Sequence, residues 1–331
     1  MLTGFGHQAV VVFFVLSGYF VGGSVIDAVS RQRWSWSGYA SRRLTRLWLV
    51  LIPSLLLTLF WDRLGASLSS GRGYNGEFSS IIFSGPTAAA PLNSRLETFL
   101  GNVAFLQTIT CPVLGTNGPL WSLANEFWYY VLFPFVYLFL HPKTSVARRI
   151  TFGVAGVAVT LFLPGAMLNG FGIWLLGCAV HGAMRSQGSK RFLCSHLFFG
   201  LSCIGFLASL AMARAKWTAA DFCIASSFAG TLPFLISRRP SQGWYTRVSA
   251  SLSEMSYTLY VVHFPLLGFL FFTFRLPARS QPAPAAYLAF FGVLAIVVAY
   301  AAIVWWLFEK RTDIVRKKIE SVVFSPPESP L

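Results

Sequence analysis

The chain has 331 residues, of which 55% are hydrophobic and 11% charged, with 26 basic against 11 acidic side chains and a net charge of +15. Soluble domains carry about 25% charged residues, so this composition excludes an ordinary soluble globular protein and implies a chain of many membrane spans. In such a chain the excess positive charge is a topological signal, and no nucleic-acid partner is needed to explain it.

A spanning helix needs about 20 predominantly apolar residues. Stretches of that kind lie near 7–26, 44–62, 119–140, 150–168, 170–184, 192–213, 221–236, 256–275 and 286–308. They predict an all-α fold, a polytopic membrane helix bundle of about nine transmembrane helices. The two shortest, 170–184 and 221–236, are candidates for tilted, broken or re-entrant helices. The apolar stretch from Leu96 to Ile109 is expected to be an interfacial or re-entrant helix. The loop from Asp62 to Gly118, rich in Gly, Ser, Pro and Asn, is expected to be irregular and able to act as a lid over an outward-facing site. Residues 1–310 are read as one membrane domain, and 311–331 as a basic cytoplasmic segment that ends in a disordered SPPESPL tail.

Short cytoplasmic loops are enriched in Lys and Arg. Taken alternately, the loops of one side carry basic clusters within 31–46, 143–149, 185–191, 238–247 and 310–318, which hold 19 of the 26 basic residues. The C-terminus is therefore expected in the cytoplasm, the protein in a bacterial inner membrane, and Met1 outside. With no export signal ahead of the first span, that start is awkward, and it predicts that an upstream span is missing from this chain.

Cys111 falls in an outer loop, and Cys178, Cys194, Cys203 and Cys223 fall in or beside apolar spans, where a thiol acts as a small hydrophobe. The sequence has no CxxC pair, no His/Cys cluster with ligand spacing and no Gly-rich phosphate loop. Neither a metal nor a permanently bound cofactor is expected.

Four groups could carry chemistry. In FFVLSGYFVGG, Phe13 to Gly23, the small residues Ser17, Gly18, Gly22 and Gly23 allow close helix approach; the alternative is a substrate-facing hydroxyl from Ser17. In SGYASRRLTRLWLVLIP, Ser37 to Pro53, Arg43 and Arg46 share one helix face. Two guanidinium forks there suit phosphate or pyrophosphate, or else anchor the helix in anionic headgroups. Asp27 is the one acidic residue near them in sequence.

In GPLWSLANEFWYYVLFPF, Gly118 to Phe135, Glu126 is a carboxylate inside a span, and such a charge usually marks a working site. Its open roles are general base, orienting partner of a histidine, or half of a structural ion pair. Trp121, Trp128, Tyr129 and Tyr130 could form an aromatic belt at the outer interface. Trp121 and Asn125, with Ser17, are candidates for a substrate cavity. In SEMSYTLYVVHFPLL, Ser253 to Leu267, His263 lies inside a span, either as a packed residue or as a catalyst. Pro265 frees backbone carbonyls of the preceding turn, which then need neighbouring donors.

Together with the closing WWLFEK, these motifs resemble, in order and spacing, the acyltransferase-3 family of membrane acyltransferases, from about Gly6 to Lys310. The resemblance implies about ten spans in an intact member. It also implies transfer of an acyl group, acetyl by default, from acyl-CoA (acetyl-CoA) as co-substrate to a hydroxyl of a carbohydrate or similar acceptor. By the same likeness Arg43 and Arg46 match the family's donor-binding arginines, while Glu126 and His263 match its acidic and histidine elements.

The family's opening span, with an arginine and the histidine proposed as catalytic base, has no counterpart here, and His7 does not stand in its place. The expectation is a truncated member of weak or no activity, with Glu126 and His263 in supporting roles. The competing classes are a permease or flippase, in which the same charges form an ion path, and a non-catalytic remnant of an acyltransferase. Membrane lipids are expected partners in every case.

Overall fold

The computed structural model describes residues 4–77, 85–87, 92–215, 219–238, 243–274 and 283–323. Among them no β-strand forms, and a single bridge joins Gln107 to Cys111. Among the described residues eight helical stretches are long and apolar enough to cross a membrane: Gly6–Ser30, Trp36–Leu68, Leu120–Leu140, Gly165–Ala183, His196–Arg214, Ala220–Ser237, Ser256–Phe274 and Pro284–Lys318, the last including a 3-10 turn.

The expected span at 150–168 is corrected by Pro164. A proline pushes the preceding residue out of the helical region, and Leu163 is extended at φ −84° and ψ 138°. Helix α6 (Val146–Phe162) therefore stops at 17 residues, near the lower limit for crossing a bilayer. Helix α7 (Gly165–Ala183) starts directly after Pro164, so the span expected to begin at 170 gains a turn and more.

The chain folds as two compact units. The first holds residues 1–34 and 125–241. Helix α1 (Gly6–Ser17) runs through a π-helical stretch, Gly18–Gly22, into α2 (Gly23–Ser30), and packs on α7 and α10 (Ala220–Ser237). After the short α8 (Gln187–Leu193), helix α9 (His196–Arg214) packs on α10, with the Ser195 hydroxyl capping its first turn at Phe198 N. A Cβ on Gly18 would overlap the carbonyl of Trp174, and one on Gly177 would overlap the carbonyl of Val15. These glycines let α1 and α7 meet backbone to backbone, so the packing role predicted for the small residues holds for Gly18.

The second unit holds residues 35–124 and 242–331. Its long helix α3 (Trp36–Leu68) is capped by Ser35, whose hydroxyl accepts from Gly38 N. At 33 residues α3 is roughly 50 Å long against a hydrocarbon layer of about 30 Å. The helix is thus longer than an untilted crossing requires. The loop expected to start at Asp62 begins instead after Leu68. The helix expected from Leu96 to Ile109 is shorter, α4 (Leu96–Val103), and is followed by turns in which Phe105 and Thr108 adopt positive φ.

Helix α12 (Ser256–Phe274) packs on α3 and on α13 (Pro284–Leu307). Helix α11 (Trp244–Glu254) leads into α12, and a 3-10 turn, Glu309–Arg311, leads from α13 into α14 (Thr312–Val323), which packs on α3. Helix α14 extends past Ile319, where the tail was expected to lose structure; residues 324–331, with SPPESPL, lie outside the described residues. So do Lys216, Arg239, Arg275 and Arg279 of the charge count and parts of the 63–118 loop. Helix α5 (Leu120–Leu140) passes from the second unit into the first.

Candidate active site

In the first unit a buried polar cluster forms around Glu126, which is 5% exposed. The Ser17 hydroxyl donates to its Oε1 at 2.9 Å, and the Tyr130 hydroxyl donates to the same oxygen. Ser17 Oγ in turn accepts from the Trp174 indole N–H at 3.1 Å. Burying a carboxylate is costly unless hydrogen bonds replace its water. Tyr130 sits one helical turn after Glu126, so α5 itself supplies one donor, and the close approach of α1 to α7 brings Ser17 and Trp174 to the same place. Asn125, also buried, reaches the Tyr129 phenol, which donates to the Met167 carbonyl at 2.8 Å.

In the second unit Pro265 leaves the Val261 carbonyl without a helical N–H. The expected neighbouring donor is Asn117, whose amide gives one hydrogen to Val261 O at 2.9 Å and the other to Thr58 Oγ1 at 3.0 Å. The turn bearing Asn117 is held by Asp62, which accepts from Thr116 N at 2.9 Å and from Thr116 Oγ1 at 2.6 Å. Gly115 makes this possible, because it has φ +57° and a Cβ there would overlap Asp62 Oδ2.

On the same helix His263 turns Nδ1 towards the carbonyls of Tyr260 at 2.7 Å and Leu259 at 3.0 Å. Two acceptors at Nδ1 place the ring proton there and leave Nε2 with its lone pair. The ring lines a cavity of about 470 Å3 whose other walls include Leu259, Leu267, Phe290 and Leu294. A neutral imidazole of fixed tautomer beside an apolar cavity can accept a proton where water is scarce.

Arg43 and Arg46 line a second cavity of this unit, about 420 Å3, together with Arg42, Lys310 and Arg316. The sequence set these arginines beside Asp27 alone, and the structure corrects that. Asp27 belongs to the first unit, where it meets His181 Nε2 at 3.2 Å and Arg185 at 4.0 Å. The carboxylates that line the arginine cavity are Glu254, Glu309 and Asp313.

A family model for the acyltransferase-3 family, described as an acyltransferase domain, matches residues 1–304. The chain belongs to that family. No curated protein and no solved structure matches it significantly. The protein is accordingly an integral membrane acyltransferase.

Of the residues singled out in this acyltransferase, Ser17 and Glu126 are brought together in the first unit, and Arg43 and Arg46 in the second. His263 lines a cavity of the second unit other than that of the arginines, and Trp121 is half-buried in that unit. His7 pairs with Asp221 at an exposed position, at 2.7 Å. The proposed aromatic belt is not found at Tyr129 or Tyr130, which are 0% and 7% exposed: Tyr129 packs against Phe14, Phe171 and Trp174.

Sequence reasoning missed Tyr130 and Trp174 as partners of the Glu126 cluster, and Asp62 and Asn117 as the braces beside His263. The spacing of Glu126 and Tyr130 was an available signal. Nothing local links Asn117 to Val261.

Proposed function

We propose that this acyltransferase moves an acyl group, acetyl by default, from acyl-CoA to a hydroxyl of a carbohydrate or similar acceptor. The observation that carries the reading is the cavity in which Arg42, Arg43 and Arg46 of one helix face are joined by Lys310 and Arg316. Guanidinium forks on a rigid helix suit the pyrophosphate of a CoA donor. The basic loops on the same side favour a cytoplasmic position for this cavity, and acyl-CoA is made in the cytoplasm.

The reaction needs one base, and we assign to His263, read from sequence in a supporting role, the part of that base. The acceptor oxygen attacks the thioester carbonyl, its proton passes to His263 Nε2, and collapse of the tetrahedral intermediate expels the CoA sulfur, which takes that proton to leave as free thiol. The Tyr260 and Leu259 carbonyls hold His263 in the needed tautomer, and the apolar walls around it suit an acyl chain. Glu126 keeps a buried carboxylate in place through Ser17 and Tyr130.

The test is release of CoA thiol by the purified chain in lipid nanodiscs, given acetyl-CoA and a panel of sugar and lipid-linked hydroxyl acceptors. Acceptor-dependent release, abolished in His263→Ala, is expected. Release that persists in His263→Ala would remove the base, and undiminished donor binding by Arg43→Ala/Arg46→Ala would remove the donor site.

A further inference from the structure

The arginine cavity has two walls. One is the face of α3 with Arg42, Arg43 and Arg46; the other is the C-terminal segment, with Lys310 in the 3-10 turn and Arg316 in α14. Trp305, near the end of α13, also lines the cavity. Lys310 and Arg316 both lie beyond residue 304, where the family match ends.

Two of the three acidic residues that line the cavity are engaged by groups of the protein. Glu309 accepts from the backbone N–H and hydroxyl of Thr258, and Asp313 meets Arg316 at 3.0 Å. Arg316 also lies 4.0 Å from Glu320, which accepts from the Ser41 hydroxyl of α3 at 3.2 Å. The Glu320 contacts dock α14 on α3, and the Asp313 pair orients the Arg316 guanidinium. Lys310 is held over the Trp305 ring at 5.5 Å. Five cations face three carboxylates, so the cavity keeps a net positive charge.

A CoA molecule carries two separate anionic groups, the pyrophosphate and the 3′-phosphate of its ribose, with an adenine ring beside the second. A single row of arginines on one helix face answers only the first. We infer that Lys310 and Arg316 form a second anionic subsite, which takes the 3′-phosphate while the α3 arginines take the pyrophosphate, and that α14 is a wall of the donor site. This rests on the acyl-CoA reading above. It makes Lys310 and α14, the latter within the 311–331 segment that the sequence assigned to a separate tail, determinants of donor choice between CoA and its 3′-dephospho form.

The experiment is calorimetric titration of the full chain, in nanodiscs of zwitterionic lipid, with CoA and with 3′-dephospho-CoA. The wild-type protein should bind CoA about tenfold or more tightly than the dephospho form, as expected for one well-placed charged hydrogen-bonding pair. Lys310→Ala/Arg316→Ala should bind the two ligands alike, neither more tightly than the wild type binds 3′-dephospho-CoA. A variant that keeps the wild-type preference overturns the inference.

Arg316 also helps to dock α14, so a charge-keeping variant, Lys310→Arg/Arg316→Lys, accompanies it. That variant should retain the preference, and its failure to do so likewise overturns the assignment. Arg43→Ala/Arg46→Ala tests the underlying reading separately and should weaken both ligands in parallel. Unchanged binding of both would sink the donor reading while the ratio still judged the subsite. If the wild-type chain binds neither nucleotide but phosphatidylglycerol shifts its tryptophan fluorescence, the cavity is a lipid-headgroup site and both readings fall.

Discussion

Asn117 donates its side-chain amide to the carbonyl of Val261, the acceptor that Pro265 leaves open four residues later. Val261 directly follows Leu259 and Tyr260, whose carbonyls hold His263, so the loop ahead of α5 braces the stretch of α12 that precedes Pro265. Asn117 is fully buried, which makes each of its bonds hard to replace with water.

Asn117→Ala should lower stability by about 1–3 kcal/mol, because Val261 O would be buried without a donor. Pro265→Ala restores the helical N–H, so the double variant should lose clearly less than the sum of the two single changes. Thermal unfolding of all four proteins in detergent gives the coupling, and strict additivity would show that the bond does not act as described.

Gly115 and Gly71 both have positive φ, but only Gly115 has Asp62 against its α-carbon. Gly71→Ala should therefore cost only the backbone strain of about 1 kcal/mol. Gly115→Ala adds overpacking of roughly 1–3 kcal/mol and displaces the turn that carries Asn117. Equal melting shifts for the two variants would contradict the close approach of Asp62.

Ser17→Ala and Tyr130→Phe each remove one donor from Glu126 Oε1. Each should destabilise the protein by about 1.5–3 kcal/mol, as expected for a hydrogen bond to a charged group. Glu126→Gln should reduce the effect of either change. A cycle in which Tyr130→Phe costs the same in the wild-type and Glu126→Gln backgrounds would mean that the tyrosine serves packing alone.

Cys111 lies outside the spanning helices, and burial pushes its thiol up from the ordinary range. Because the thiolate is the reactive form, a membrane-impermeant maleimide should label a variant with Cys111 as its sole cysteine slowly at neutral pH. The rate should keep rising at pH values where an unperturbed thiol has levelled off. Labelling of sealed, right-side-out vesicles supports the outer placement of this loop, and labelling confined to inverted vesicles reverses the proposed topology.

Much of the fold was legible in the sequence because each span is announced locally. The error at 150–168 came from an apolar run whose hydropathy continues through Pro164 although its backbone cannot. The α3 arginines were legible as one face for the same local reason. Their acidic neighbours were not, since Glu254, Glu309 and Asp313 lie more than 200 residues further along the chain.

By itself the sequence determined that this is a polytopic helical membrane protein of the acyltransferase-3 type, because apolar length, charge placement and motif order are properties of continuous segments. Only the tertiary structure decided which polar groups meet. Ser17 reaches Glu126 across 109 residues and Asn117 reaches Val261 across 144, while α14 comes back to close the arginine cavity. Such pairs follow from how closely helices pack and where a turn is braced, and no local pattern of residues carries that information.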